Sequence, residues 1–192
     1  MNTATLAECT PKSGYCWIEP IDRKLSDVLL LPSNWRAGNF SDPRQDFGRV
    51  LAYNPNGHEP GFSRGDFVIF PRIRASHLGD SKGVLCLTKN SDVEAVVGDS
   101  IRLLGSRILV ERDESETVSA GGIVLADDCV AKPETGVVRD VGPGKELPSG
   151  HAKMFVKPGD KVIFSKYGGK EVTVGDKTLL LMDVDCVLAV ME

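Results

Sequence analysis

The side chains that could do chemistry are spread along this sequence and do not form a recognisable catalytic set. Ser119 and the three histidines, His58, His77 and His151, lack the context of a nucleophilic triad. The five cysteines form no CxxC pair, so no zinc-site spacing is present. These cysteines are Cys9, Cys16, Cys86, Cys129 and Cys186. We therefore expect a protein that is not an enzyme and that has no catalytic residue, no bound metal and no cofactor.

The glycine-rich run 141–144 resembles a phosphate-binding loop only superficially. Pro143 removes a backbone donor from it, and no helix start follows. No GxxxxGK[ST] motif occurs elsewhere in the sequence. A nucleotide site on this chain is therefore not expected.

An apolar triplet stands between acidic residues in the second half of the chain. Two glycines come directly before it, and they lower the cost of unusual backbone angles. The glycines and the triplet are Gly121, Gly122, Ile123, Val124 and Leu125. The residues alone leave two interpretations open: a short docking segment on a flexible tether, or a buried strand that follows a glycine bulge.

The acids beside the triplet could suggest a metal site. They are Glu114, Glu116, Asp127 and Asp128. Their place in a segment with loop character favours solvated charge instead.

Composition excludes several functional classes. The chain has 192 residues, is 41% hydrophobic and 26% charged, and carries a net charge of −4. Net acidity and few aromatics disfavour a nucleic-acid-binding barrel, and no apolar run is long enough to span a membrane. The N-terminal residues show no signal sequence, and scattered cysteines fit a reducing compartment. We expect a cytoplasmic protein, or a processed protein of an organelle matrix or stroma.

Short β-branched segments separated by glycine and proline predict an all-β fold. An internal repeat predicts two domains. Arg64–Phe70 matches Pro158–Phe164, so that Gly65 and Gly159 stand 94 residues apart. Weaker matches precede and follow this one, and they place the boundary between residues 98 and 99. The predicted domains are residues 1–98 and 99–192.

The second half contains several separate motifs in a fixed order: Arg107-Ile108-Leu109-Val110-Glu111, Thr135-Gly136-Val137-Val138, Pro158-Gly159-Asp160-Lys161-Val162-Ile163-Phe164, Lys166-Tyr167-Gly168-Gly169 and Asp185-Cys186-Val187-Leu188-Ala189-Val190. By the order and spacing of these motifs, residues 100–192 closely resemble a complete GroES-like co-chaperonin subunit. The fold that this resemblance implies is two tandem GroES-like β-barrels, similar to the double-domain co-chaperonins of chloroplasts. A GroES-like barrel also occurs in medium-chain dehydrogenases, but the GxGxxG turn of their nucleotide domain is missing here.

The implied function is that of a co-chaperonin that caps an ATP-driven, GroEL-type chaperonin and assists protein folding. By this resemblance the triplet anchors a mobile loop to the chaperonin, the two glycines form its hinge, and Tyr167 lies near the base of the dome. The partner, not this chain, binds ATP or ADP. We also expect a homo-oligomeric ring and no nucleic-acid or membrane partner. The alternative is a structural or regulatory binding protein that keeps the barrel and caps nothing.

The first half differs from the second in two places. Its apolar run in the loop region has no glycine pair before it; the run is Val28, Leu29, Leu30 and Leu31. This run is predicted to be either a second chaperonin-docking loop or a strand of its own barrel. In the second half, residues 144–153 are predicted to form a hairpin with a Pro-Ser-Gly tip, whereas residues 54–63 form a shorter turn.

Overall fold

The structure is a computed structural model that describes most of the chain. The described residues are 9–21, 46–57, 59–80, 83–98, 100–113, 133–147, 150–166, 168–174 and 177–191. Strands dominate them, and short 3₁₀ turns such as Asn90–Asp92 separate some of the strands. The predicted all-β class is confirmed. Within the described ranges, no helix has the length and apolar character needed to cross a bilayer.

The first half of the chain, together with one strand from residues 101–103, forms a seven-stranded sheet. Its strands are β1 (Tyr15–Pro20), β2 (Asp46–Asn54), β3 (Phe67–Phe70), β4 (Ser76–Asp80), β5 (Gly83–Lys89), β6 (Ala95–Val97) and β7 (Ile101–Leu103). They lie in the order β4-β5-β1-β2-β3-β6-β7, and every paired neighbour is antiparallel. The buried side chains of this sheet include Ile18, Val68 and Phe70.

The second half forms a six-stranded sheet and a small hairpin. The strands are β8 (Arg107–Arg112), β9 (Thr135–Val141), β10 (Glu146–Leu147), β11 (Gly150–His151), β12 (Lys161–Phe164), β13 (Lys170–Val174), β14 (Lys177–Asp183) and β15 (Val187–Met191). The sheet order is β13-β14-β8-β9-β12-β15, and β10 pairs with β11. Its core includes Ile108, Val138 and Phe164.

The same strand order recurs in the two sheets, apart from the added β7. The glycine turn before β3 and β12 repeats as well, since Gly65 and Gly159 have φ values of 95° and 97°. An L-residue rarely adopts this conformation, so glycine is required at both positions. A register shift also occurs between Trp17 and Ile18 in β1 and, 92 residues later, between Leu109 and Val110 in β8.

Strand β7 belongs to the second half of the chain by sequence, but it pairs with the sheet of the first half. It pairs with β6 at the edge of the first sheet, and directly after it the chain enters β8 of the second sheet. Around β7 lies an apolar cluster, the joint core, which takes side chains from both halves. Its buried members are Ile69, Ala95, Val97, Ile101, Leu103, Leu109, Val172, Leu179 and Leu181.

Candidate functional site

The residues predicted to dock lie outside the described part of the chain. They are Gly121, Gly122, Ile123, Val124 and Leu125 in the second half, and Val28, Leu29, Leu30 and Leu31 in the first. Tyr167 and the acids Glu114, Glu116, Asp127 and Asp128 lie outside it too. Their assignment stays a prediction. The structure describes the strand ends from which both segments start and to which they return.

A polar clamp joins the two ends of segment 114–132. The Asp113 backbone N–H donates to the Thr135 carbonyl oxygen at 3.0 Å, and the Thr135 hydroxyl donates to Asp113 Oδ2 at 2.7 Å. Lys161 Nζ lies 3.2 Å from the same carboxylate oxygen. These two contacts lower the pKa of Asp113, with the Thr135 hydrogen bond as the larger cause. Residues 113 and 135 are therefore held side by side.

Glu111 lies in β8, two residues before Asp113 in the chain, and reinforces the polar clamp. Arg139 donates to Glu111 Oε2, and Lys177 Nζ donates to Glu111 Oε1 at 3.2 Å. The hydrogen bonds from Lys177 and Arg139 lower the pKa of this carboxyl group. The carboxylate thus accepts hydrogen bonds from strands β9 and β14 together, which fixes the end of β8.

Close backbone packing at Gly136 completes the clamp. A Cβ built on this residue would lie 2.4 Å from the Glu111 carbonyl oxygen and 2.8 Å from Val110 Cγ1. Any larger side chain would push β9 away from β8. In the first half, Gly48 meets Ile18 and the Glu19 carbonyl oxygen in the same way.

In the first half, the ends of segment 22–45 are held by an apolar version of the same arrangement. The Ile21 N–H donates to the Phe47 carbonyl oxygen at 2.8 Å, as Asp113 does to Thr135. The rings of Phe47 and Phe67 stack with centroids 5.6 Å apart. By the sequence repeat, Ile21, Phe47 and Phe67 occupy the places of Asp113, Thr135 and Lys161. Both segments therefore start at equivalent positions of their sheets. Their ends are held by polar side-chain contacts in the second half and by aromatic packing in the first.

The hairpin predicted in the second half is confirmed. Glu146 pairs with His151 and Leu147 with Gly150, while the tip residues 148 and 149 lie outside the described part. In the first half, the described residues between β2 and β3 contain no strand, and Gly57 turns the chain with a φ of 83°. The expected shortening of this region is thus visible in the backbone.

Sequence reasoning missed the clamp residues. Asp113, Thr135 and Lys161 are far apart in the chain, and although Thr135 and Lys161 stand in motifs that carry the family resemblance, nothing in those motifs pairs them with Asp113. The signal that could have found them is that all three are polar residues at or next to strand ends, at positions where the first half has Ile21, Phe47 and Phe67. In the described residues, no group of three His, Cys, Asp or Glu side chains could hold a metal ion.

Comparisons with known proteins identify the second half. The family model for the chaperonin 10 Kd subunit matches residues 100–191. The co-chaperonin GroES of Francisella philomiragia subsp. philomiragia is 50% identical over 93 residues, which is 48% of this chain and 98% of that protein. The proteins of the same name from Solidesulfovibrio magneticus and Paracidovorax citrulli are each 47% identical, over 97% and 98% of their lengths.

The match spans almost the whole length of these relatives and about half of this chain. It begins at β7 and ends with β15, so it includes every strand of the second sheet. The family consists of non-enzymatic co-chaperonins, which agrees with the prediction that this protein is not an enzyme. The chain therefore belongs to the chaperonin 10 Kd subunit family, the family of the GroES co-chaperonins.

Proposed function

We propose that this protein is a co-chaperonin that caps an ATP-driven, GroEL-type chaperonin and assists protein folding. One observation carries the proposal: a segment of this chain matches the co-chaperonin GroES of Francisella philomiragia over 98% of its length at 50% identity. The nucleotide is bound by the partner in this proposal. This chain supplies a contact surface and no chemistry.

The docking residues that we propose are Ile123, Val124 and Leu125, with Gly121 and Gly122 as their hinge. The polar clamp supports this assignment, because it holds the two ends of segment 114–132 together at one point of the sheet. An apolar triplet in a segment that is anchored at both ends can bind without disturbing the core. A loop that orders on binding loses conformational entropy, so one loop binds weakly and several loops on one assembly bind tightly.

We further propose that the first half is a diverged second copy of the same domain. The shared strand order, the repeated register shift and the repeated glycine turn support it. The protein would then be a tandem co-chaperonin with domains 1–98 and 99–192, assembled from several copies into a ring. We place it in the cytoplasm, with an organelle matrix or stroma as the alternative.

A second candidate function is that of a non-capping structural or regulatory binder. It is favoured by the difference at the first clamp, where Phe47 and Phe67 replace a threonine and a lysine, and by a family match that begins at residue 100. Under this alternative the first half would have lost the geometry that presents a docking run, including Val28–Leu31.

Refolding of a denatured substrate protein by a GroEL-type chaperonin and ATP separates the two functions. A cap is expected to raise the yield of a substrate that needs encapsulation, and to slow the chaperonin's ATP turnover. The matched control is the same reaction without this protein. An unchanged yield together with unchanged ATP turnover contradicts the capping function and favours the non-capping binder.

A further inference from the structure

The turn between β2 and β3 contains an asparagine that is followed by a glycine. Asn56 and Gly57 are both exposed, and of the asparagines in this sequence Asn56 alone precedes a glycine. Asparagine is a thermolabile residue, because its side-chain amide can be lost when the next backbone nitrogen attacks it. The surroundings of Asn56 in the fold favour this attack.

The Gly57 nitrogen is open to approach. A Cβ built on Gly57 would meet no atom within 4 Å, and the residue has a φ of 83°, in a region that L-residues rarely adopt. Within the described part of the chain, no backbone acceptor holds the Gly57 N–H. The attacking nitrogen and the carbon that it attacks belong to adjacent residues, so the reaction is intramolecular. Glycine supplies the backbone freedom that ring closure needs.

A hydroxyl group lies against the Asn56 side chain. Ser13 Oγ lies 3.2 Å from Asn56 Oδ1 and 3.3 Å from the Pro55 carbonyl oxygen, so its hydrogen can be donated to either oxygen. When it is donated to Oδ1, it polarises the side-chain carbonyl group. It also stabilises the negative charge that develops on Oδ1 as the nitrogen attacks. Ser13 thus lies where it can accelerate the loss of the amide.

The other asparagines near this turn, Asn54 and Asn90, lack these features. Asn54 precedes Pro55, whose nitrogen carries no hydrogen and cannot close the ring. Asn90 precedes Ser91, and its side-chain nitrogen donates to the Asn54 carbonyl oxygen at 3.0 Å. The backbone N–H of Asn90 is hydrogen-bonded as well, so both ends of this residue are held. Asn54 and Asn90 are therefore internal controls for Asn56.

We propose that Asn56 is a site of spontaneous deamidation in which Ser13 assists. The Gly57 nitrogen bonds to the side-chain carbonyl carbon of Asn56, and the bond from this carbon to the amide nitrogen breaks. The proton of the Gly57 nitrogen leaves with the amide group as ammonia, and a cyclic succinimide remains. Water then adds to one carbonyl carbon of the ring and breaks the bond from that carbon to the ring nitrogen. Cleavage at the side-chain carbon gives aspartate, and cleavage at the main-chain carbon gives isoaspartate.

The residues before β1 are fastened to this turn. Asn54 Nδ2 donates to the Pro11 carbonyl oxygen at 2.9 Å, and the Gly14 N–H donates to the Asn54 carbonyl oxygen at 2.9 Å. A Cβ built on Gly14 would lie 3.5 Å from Asn56 Cβ, so the two segments are close. Isoaspartate carries the chain through the side-chain carbon and adds a methylene group to the backbone, which displaces the turn and loosens residues 11–14. Aspartate keeps the backbone and an oxygen acceptor at the same place.

Ageing of the purified protein at neutral and mildly alkaline pH, followed by peptide mass spectrometry, tests the proposal. Asn56 is expected to lose its amide at least about tenfold faster than Asn90. The rate should increase with pH, because the Gly57 nitrogen loses its proton as it attacks. Ser13→Ala should slow the loss about threefold or more, since one hydrogen bond to the reacting oxygen disappears. The matched control is Ser63→Ala, which removes an exposed hydroxyl group from the same β2–β3 connection and should leave the rate unchanged.

Hydrogen exchange of the Gly14 amide measures the consequence in the same samples. Exchange should be faster in the aged wild type than in fresh protein. In freshly prepared Asn56→Asp, which carries the aspartate product alone, exchange should stay as in the fresh wild type. Asn56→Gln should keep both its amide and its slow exchange on ageing, because the longer side chain closes a ring much more slowly.

The deamidation site is overturned if Asn56 keeps its amide as long as Asn90 does, or if Asn56→Gln ages like the wild type. A wild-type rate in Ser13→Ala contradicts the assistance by Ser13, and unchanged Gly14 exchange in fully aged protein contradicts the loosening. These measurements involve no chaperonin, so they succeed or fail independently of the proposed function.

Discussion

Glu94 connects the two halves of the chain by charge. Its side chain is 9% exposed and lies between Lys170 and Arg107, both from the second half. A buried carboxylate is costly unless hydrogen bonds and opposite charges compensate for its desolvation. Here Lys170 supplies a charged hydrogen bond and Arg107 supplies a second positive charge, and both residues belong to the second half of the chain. The Glu94 side chain therefore contributes to the contact between the two halves.

Replacing Glu94 by glutamine is expected to destabilise the protein by about 1–3 kcal/mol, because Lys170 loses a charged acceptor in a largely buried place. Urea unfolding followed by fluorescence measures the change in the free energy of unfolding. Glu19→Gln is the matched control, since Glu19 pairs with Arg49 where both side chains are about half exposed. That control should cost at most about 1 kcal/mol. Equal losses in the two variants would contradict a structural role for the ion cluster of Glu94, Lys170 and Arg107.

At the scale of elements, the sequence predicts those strands, turns and hairpins that depend on a local pattern of residues. The β-branched segment around Val162 forms a strand whose buried and exposed side chains alternate, whereas Val68, Ile69 and Phe70 form a short apolar strand that is buried on both faces. The glycine turns at Gly65 and Gly159 and the hairpin after Gly144 are equally local, and they appear where expected.

Pairings between distant residues leave no such local signature. The stacking of Phe47 on Phe67, the clamp of Asp113 with Thr135, and the contact of Glu94 with Lys170 each depend on the closed sheet. A single charged or aromatic residue in a strand gives no indication of its partner. The docking residues themselves are predicted from the sequence and from the family resemblance.

The two proposed docking segments should contribute unequally to chaperonin binding. We expect Leu29→Asp with Leu30→Asp to lower chaperonin affinity less than Val124→Asp with Leu125→Asp. The reason is that the second segment has the glycine pair and lies in the half that matches the co-chaperonins. Surface plasmon resonance with an immobilised chaperonin and nucleotide measures both affinities, and gel filtration checks that both variants assemble. An equal or larger loss in the first pair would mean that both segments dock equally.

At the scale of the whole molecule, the joint core makes the two halves one packed unit. Strand β7 belongs by sequence to the family-matching region, yet it pairs with the first sheet and takes Ile101 and Leu103 into the joint core. Covalent linkage thereby supplies a contact that separate subunits would have to form by association. In the proposed ring, half of the contacts between neighbouring domains would lie within single chains and would be present before the chains assemble. Fewer contacts would then depend on protein concentration.

We propose that this chain docks on a chaperonin through Ile123, Val124 and Leu125, and nucleotide-dependent co-purification with a GroEL-type chaperonin tests this docking directly. The wild type should co-elute with the chaperonin in the presence of nucleotide and separate from it in its absence. The triple serine variant at these three positions should never co-elute, while its thermal unfolding and its own assembly stay as in the wild type. Co-elution of the triple serine variant to the same extent as the wild type would contradict the claim. Loss of thermal stability in that variant would instead show that the triplet belongs to the protein core.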